Sequence, residues 1–238
     1  MAYQVVFKRY ELKYLLDLRQ TQRILEAMAP YMVPDSYGQA TIRNVYFDTD
    51  NYRLIRRSLE KPVYKEKLRL RSYCRVQPGD PVFVELKKKY KGIVYKRRLS
   101  LPEDQAVLWL QTGERRARGQ IADEIDYFRQ FYSGLRPTVF LSYDREAFFC
   151  RGGGDFRVTF DRRILARQED LSLKSAIGGT PLLEEGMVLM ELKTAGGIPL
   201  WMTQALTREG IFKTSFSKYG KAYETMIFPQ IKGDFLYA

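Results

Sequence analysis

Lys65, Lys67, Arg69 and Arg71 recur at every second position, separated by Glu66, Leu68 and Leu70. In a β-strand this spacing projects all four cations from one face. The pattern returns along the chain. Glu85, Lys87 and Lys89 alternate with Val84, Leu86 and Lys88, and Arg9, Glu11 and Lys13 alternate with Lys8, Tyr10 and Leu12. Arg157, Thr159 and Asp161 form another such set, and Glu191 and Lys193 a shorter one. Guanidinium groups grip oxyanions through a planar fork, and ammonium groups act as point charges. Stripes of this kind suit a phosphate-rich ligand. The sequence contains no histidine. That excludes Ser-His and Cys-His nucleophiles, histidine general bases and His-rich zinc sites. A metal would have to be held by carboxylates, which points to Mg²⁺ or Mn²⁺.

The stripes have two structural explanations. As solvated outer faces of a sheet they need no ligand. Outer faces normally mix charge signs, however, and like charges directly across a strand pair are destabilising. Arranged around the axis of a closed barrel, the same cations would share one anion, and repulsion would become binding. The lumen is therefore the expected arrangement. Nucleic acid is the competing anion. No stacking or zinc-finger motif is present, and Tyr46, Phe47, Phe83, Phe140 and Phe160 fall where barrel wall or outer core would lie. No nucleic-acid partner is expected.

Lys and Arg total 40 against 28 Asp and Glu, a formal charge of +12, which favours an anionic partner. Hydrophobic residues make up 45% of 238, enough for the core of a single domain over residues 1–238. Cys74 and Cys150 lack metal-site spacing and read as reduced thiols. The first ten residues carry no apolar stretch of signal-peptide length, and no run reaches the length of a membrane span. These features predict a cytoplasmic protein, with docking on a membrane partner left open.

Strands are expected at Val5–Lys13, Ala40–Asp48, Val63–Tyr73, Val82–Lys89, Gly92–Leu101, Thr138–Phe149, Phe156–Leu165 and Met187–Thr194. Helices are expected at Leu16–Met28, ended by Pro30, and at Glu103–Gln111, Gln120–Tyr132, Pro199–Arg208 and Ser215–Phe228. Consecutive strands argue for an antiparallel α+β fold: a closed barrel with a cationic lumen, flanked by helices. Gly152–Gly154 reads as a turn, since no helix with a Lys-Ser/Thr pair follows it. Lys88, Lys91, Arg97 and Arg98 read as outer-face charges. Asp48 and Asp161 read as partners of neighbouring arginines.

The ordered motifs Arg9-Tyr10-Glu11-Leu12-Lys13-Tyr14, Arg43 to Thr49, Lys67-Leu68-Arg69-Leu70-Arg71 and Phe83-Val84-Glu85-Leu86-Lys87 resemble a known family. Lys96-Arg97-Arg98, Ser142-Tyr143-Asp144-Arg145, Arg157 to Asp161, Glu191-Leu192-Lys193 and Phe216-Ser217-Lys218-Tyr219 continue the match. The chain looks like a VTC domain, the polyphosphate polymerase branch of the triphosphate tunnel metalloenzymes, from about Phe7 to Phe228. The resemblance implies transfer of the ATP γ-phosphoryl group to a growing polyphosphate chain. It places phosphate-binding roles on Lys13, Arg69, Arg71, Lys87, Lys96, Arg145, Arg157 and Lys218, with Lys193 a further lumen cation. Arg9, Lys67, Lys89 and Ser217 would add substrate contacts, Ser217 and Lys218 at the head of a helix. Glu191 would hold Mn²⁺ or Mg²⁺, with Glu85 as a second ligand and Glu11 either a further ligand or the salt-bridge partner of a lumen cation. Many tunnel enzymes that hydrolyse triphosphate or cyclise ATP carry two alternating glutamates before the lysine. Here Arg9 takes the first of those positions and Glu11 keeps the second, which suits gripping a long anion. A tunnel triphosphatase and a non-catalytic polyphosphate or inositol-phosphate binder are the alternative activities. Members of the family can work beside membrane-spanning subunits.

Overall fold

The computed structural model describes residues 10–236. Arg9 and the start of the first expected strand lie outside them. The described strands are β1 (Tyr10–Leu16), β2 (Met32–Asp48), β3 (Tyr64–Ser72), β4 (Pro81–Tyr90), β5 (Ile93–Pro102), β6 (Arg136–Cys150), β7 (Arg157–Arg167), β8 (Thr180–Pro181), β9 (Val188–Thr194) and β10 (Lys213–Thr214). The helices are α1 (Leu18–Met28), α2 (Arg53–Leu59), α3 (Glu103–Thr112), α4 (Gln120–Phe131), α5 (Leu200–Arg208), α6 (Lys218–Ala222) and α7 (Phe228–Leu236), with a π-helical turn, Tyr223–Ile227, between the last two.

The strands pair antiparallel in the order β10-β1-β9-β7-β6-β2-β3-β4-β5, with β8 beside β7. Among the described residues no backbone ladder joins β5 to the β1 end, so hydrogen bonds do not make the closed barrel that the sequence predicts. Side chains bridge part of that distance instead: Lys87 of β4 reaches Glu11 of β1 at 2.8 Å. β1 and β4, each next to an end of the strand path, therefore face each other across an ion pair.

Period-two alternation sorts each strand between two environments. On one outer side, Leu68, Leu70, Val82, Val84 and Leu86 pack with Trp109 of α3 and Phe128 of α4. On the other, Tyr14, Leu16, Val158, Phe160, Met190 and Leu192 pack with Ile24 of α1 and Met202 of α5. Asp17 starts α1 with a capping box: its carboxylate accepts from the Gln20 amide at 2.6 Å, while Gln20 accepts from the Asp17 amide. A third cluster joins Ile42, Leu141, Tyr143, Ile164 and Leu189 to Tyr219, Ala222 and Tyr223 of the C-terminal helices. Its strand residues share their faces with the charged stripes, so this apolar floor supports the cations from below. Gly153 and Gly154 have φ of 84° and 108° in the turn from β6 to β7, a backbone region that favours glycine.

Candidate functional site

Glu85 is the hub of one charged centre. It stands opposite Arg69 on β3 and Arg98 on β5, and its side chain is 1% exposed. Arg69 donates to Glu85 Oε2 from Nε at 2.9 Å and from Nη2 at 2.7 Å, a fork on a single oxygen. Lys96 and Arg98 lie 2.7 and 3.5 Å from Oε1, and Arg71 lies 3.6 Å from Oε2. Burial pushes the Glu85 carboxyl up, but Arg71, Arg69 and Lys96 outweigh it and hold the group well below the usual range.

Asp161 and Glu191 anchor a second centre. Arg145 forks onto Asp161 with two bonds of 2.6 Å, and Lys218 reaches the same carboxylate at 2.5 Å. Glu191 gathers Lys193 at 3.3 Å, Lys218 at 3.4 Å, and Lys13 and Arg145 at 3.5 Å. Burial raises the Glu191 carboxyl, yet these cations hold it well below its ordinary value. Glu11, bound by Lys87, is brought down to about 2, since the attraction of its cations exceeds the cost of burial.

Tyr143 ties the two centres together. Its hydroxyl accepts from Arg71 Nη2 at 3.1 Å, while Arg145 and Lys218 lie 5.0 and 4.5 Å from its ring centre. Asn44 Oδ1 accepts from Arg71 Nε at 3.0 Å, and the Tyr46 hydroxyl accepts from Arg69 Nη1 at 2.8 Å. Sequence reasoning singled out none of these three as site residues. Their signal was available in register: Asn44 and Tyr46 stand directly across from Arg71 and Arg69.

Lys67 differs from its neighbours. Its Nζ donates to Ser217 Oγ at 2.9 Å and lies 5.9 Å from the Tyr219 ring centre, with no carboxylate partner among the described residues. Burial and then Lys13, Lys65, Lys87 and Arg69 all depress it, so its ammonium is held well below the usual range. Ser217 caps α6 by accepting from the Gly220 amide, which fixes the hydroxyl that meets Lys67. Lys13 donates to the Phe216 carbonyl at 2.6 Å and secures the same segment.

The remaining expected residues sit at the margins. Lys65 and Lys89 are directly opposed and half-buried, with Lys65 donating to the Ser58 carbonyl. Arg157 is exposed, 4.6 Å from the Phe149 ring centre and opposite Lys193. Lys88 and Arg97 point outward to Glu124, as expected. Arg98 does not: it turns inward to Glu85, since it keeps the same period-two face as Lys96. Asp161 is an arginine partner as expected. Asp48 instead accepts from the amides of Thr49, Leu54 and Ile55 and from the Tyr219 hydroxyl.

Among the described residues, ten cations (Lys13, Lys67, Arg69, Arg71, Lys87, Lys96, Arg98, Arg145, Lys193 and Lys218) thus surround four carboxylates, Glu11, Glu85, Asp161 and Glu191. The excess positive charge calls for an anion. No group of three or more acidic or cysteine side chains that could hold a metal occurs among these residues. Glu11 and Glu191 do stand diagonally on β1 and β9, through the pairs Glu11–Lys193 and Lys13–Glu191.

Solved structures share this fold. A provisionally assigned adenylate cyclase from Bacillus halodurans is 16% identical, with a TM-score of 0.56 over 90% of this chain and 96% of its own. A provisionally assigned adenylyl cyclase from Hippeastrum, described as having a dominant triphosphatase activity, is 13% identical, with a TM-score of 0.53 over 92% and 96%. No curated protein matches the sequence. The VTC domain model matches residues 8–227, which include every strand that carries the cationic stripes. With its stripes gathered on one inner face of the sheet, the chain belongs to the VTC domain family.

Proposed function

We propose that the protein is an ATP-dependent polyphosphate polymerase, in which the curled sheet encloses a tunnel for a linear phosphate chain. The observation that carries this reading is the inward-facing excess of cations over carboxylates, with Lys67 left for a ligand to neutralise. Phosphoryl transfer asks mainly for alignment and charge stabilisation of a loose transition state. Arg69, Arg71 and Arg145 supply planar forks held ready by Glu85, Asn44, Tyr46 and Asp161. Lys13, Lys67, Lys87, Lys96, Lys193 and Lys218 supply point charges, and Arg157, Lys65 and Lys89 extend the cationic track. The acceptor is already an anionic phosphate oxygen, so the absence of histidine is no obstacle.

Glu191 and Glu11 suit a divalent cation, because Mg²⁺ is commonly held by one or two carboxylates together with substrate phosphates. Bound there, Mg²⁺ or Mn²⁺ would neutralise charge on the phosphate oxygens. Glu85, held by Arg69 and Lys96 at 2.7 Å where the cations around Glu191 stand 3.3–3.5 Å away, serves better as the residue that positions its own cations. Among the described residues no helix is long and apolar enough to cross a membrane. We place the activity in the cytoplasm, with any passage of product across a bilayer left to a membrane-spanning partner.

Purified protein incubated with γ-labelled ATP and Mn²⁺ or Mg²⁺ tests the reading. A ladder of labelled polyphosphate, abolished by Glu191→Ala and Arg69→Ala, is the expected product. Release of free phosphate alone would assign a triphosphatase, and binding without turnover a non-catalytic phosphate binder.

A further inference from the structure

On the other face of the same wall, Arg43 of β2 stands directly between Ser72 of β3 and Ser142 of β6. Its neighbour Asn44 turns toward the interior cations, so alternation sends Arg43 outward. There it is 7% exposed. Its Nε is buried without a partner, and among the described residues its guanidinium forms no ion pair. Ser142 beside it is 0% exposed, and its Oγ is also unpartnered.

The surroundings supply cations in place of a counter-ion. Arg75 and Arg167 both act on Arg43. Arg75 holds the Lys174 carbonyl, and Arg167 holds those of Asp170, Ala176 and Gly178 and pairs with the Asp170 carboxylate at 3.5 Å. The carboxylate that acts on Arg43, Asp144, is already engaged by Arg163 at 2.5 Å and Thr41 at 2.8 Å. A buried guanidinium without a counter-ion is costly, and an orphaned buried donor requires a partner. Planar guanidinium donors beside a free hydroxyl are the recognition chemistry of a tetrahedral oxyanion.

We propose that Arg43 and Ser142, flanked by Arg75 and Arg167, form a second oxyanion site on the outer wall that takes a compact phosphate group. The group is free orthophosphate or the terminal phosphate of a longer chain. The site is separate from the interior belt, so its occupancy does not depend on the polymerase reading.

Cys74 provides a local reporter. It is exposed and lies two residues beyond Ser72, which stands opposite Arg43 and donates to the Cys74 carbonyl at 2.8 Å. The full chain is treated with iodoacetamide, and modification of Cys74 is followed by mass spectrometry with Cys150 as internal control. Orthophosphate and tripolyphosphate are added separately, against chloride at matched ionic strength. At about ten times its dissociation constant a ligand leaves roughly a tenth of sites open, so Cys74 modification should slow about tenfold while Cys150 is unchanged. Protection by orthophosphate assigns the free anion; protection by tripolyphosphate alone assigns a chain end. Arg43→Met should abolish the protection, and Arg75→Gln, at an exposed position, should weaken it several-fold, which covers the case of a misfolded Arg43 variant. Absence of protection by either ligand, or protection that survives in Arg43→Met with a native melting profile, would overturn the proposal.

Discussion

Lys67 on β3 stands directly opposite Lys87 on β4, and only Lys87 has a carboxylate, Glu11, within 2.8 Å. The same row continues to Lys96 on β5, so three ammonium groups stand abreast on adjacent strands. Like charges in direct register cost about 0.2–1 kcal/mol. Lys67→Met should therefore leave the free protein as stable or raise its stability by up to about 1 kcal/mol. The same change should weaken tripolyphosphate binding by about tenfold or more, the loss expected for a charge-assisted contact. Thermal melting and titration calorimetry read the two effects separately. A large loss of stability would show that Lys67 serves the fold and not the ligand.

Glu85 presents the opposite case. Removing its charge by Glu85→Gln leaves Arg69, Arg71, Lys96 and Arg98 without their common counter-ion. Breaking a buried charge pair from one side costs about 3–5 kcal/mol. An anion in the interior should take over part of the lost neutralisation. Melting temperature should accordingly fall without ligand and rise more steeply with tripolyphosphate in the variant than in the parent protein. An equal ligand-induced rise in both would separate Glu85 from the anion site.

The stripes were legible because alternation is a local property of a strand, and their assembly on one face follows from pairing in register. Lys67, Arg69 and Arg71 needed only the period of two. Arg98 was equally accessible, being two residues beyond Lys96, and was missed because Lys96-Arg97-Arg98 reads first as a charge run. The role of Tyr143 was not legible, since its contacts join Arg71, 72 positions away, to Lys218. The α2 helix was missed because its N-cap residue, Tyr52, makes no side-chain cap. The cap comes from Asp48, which accepts from the Leu54 and Ile55 amides. That long reach also explains why Asp48 joined no arginine. Closure of the sheet depends on the ends of the strand path, where sequence pattern carries no information about backbone pairing.

Tyr219 tests the support beneath the site. Its hydroxyl donates to Asp48 at 2.9 Å and lies 3.1 Å from Thr138 Oγ1, while its ring stacks on Tyr46 at 4.8 Å. Tyr219→Phe keeps the stack and removes the buried hydrogen bonds. The expected cost is about 1–3 kcal/mol in chemical denaturation, because Asp48 loses a partner inside the protein. Tripolyphosphate affinity, measured well below the transition, should change less than threefold. A larger change in affinity than in stability would mean that the hydroxyl itself steers Lys67 or Arg69.

The pH dependence of binding follows from Lys96, whose pKa burial lowers to about 8 although Glu85 partly offsets the effect. Between about pH 8 and the ordinary lysine value the unfolded chain keeps a proton that the folded protein has lost. This group's contribution to stability therefore rises with pH across that window. Anion binding runs the other way, because the ligand favours the charged ammonium. Affinity should fall as pH rises through 8, and binding at pH 8–9 should take up protons. Calorimetry of tripolyphosphate binding in two buffers of different ionisation heat measures that uptake directly. Lys96→Met should reduce it, and equal apparent heats in both buffers for the parent protein would remove Lys96 from the binding equilibrium.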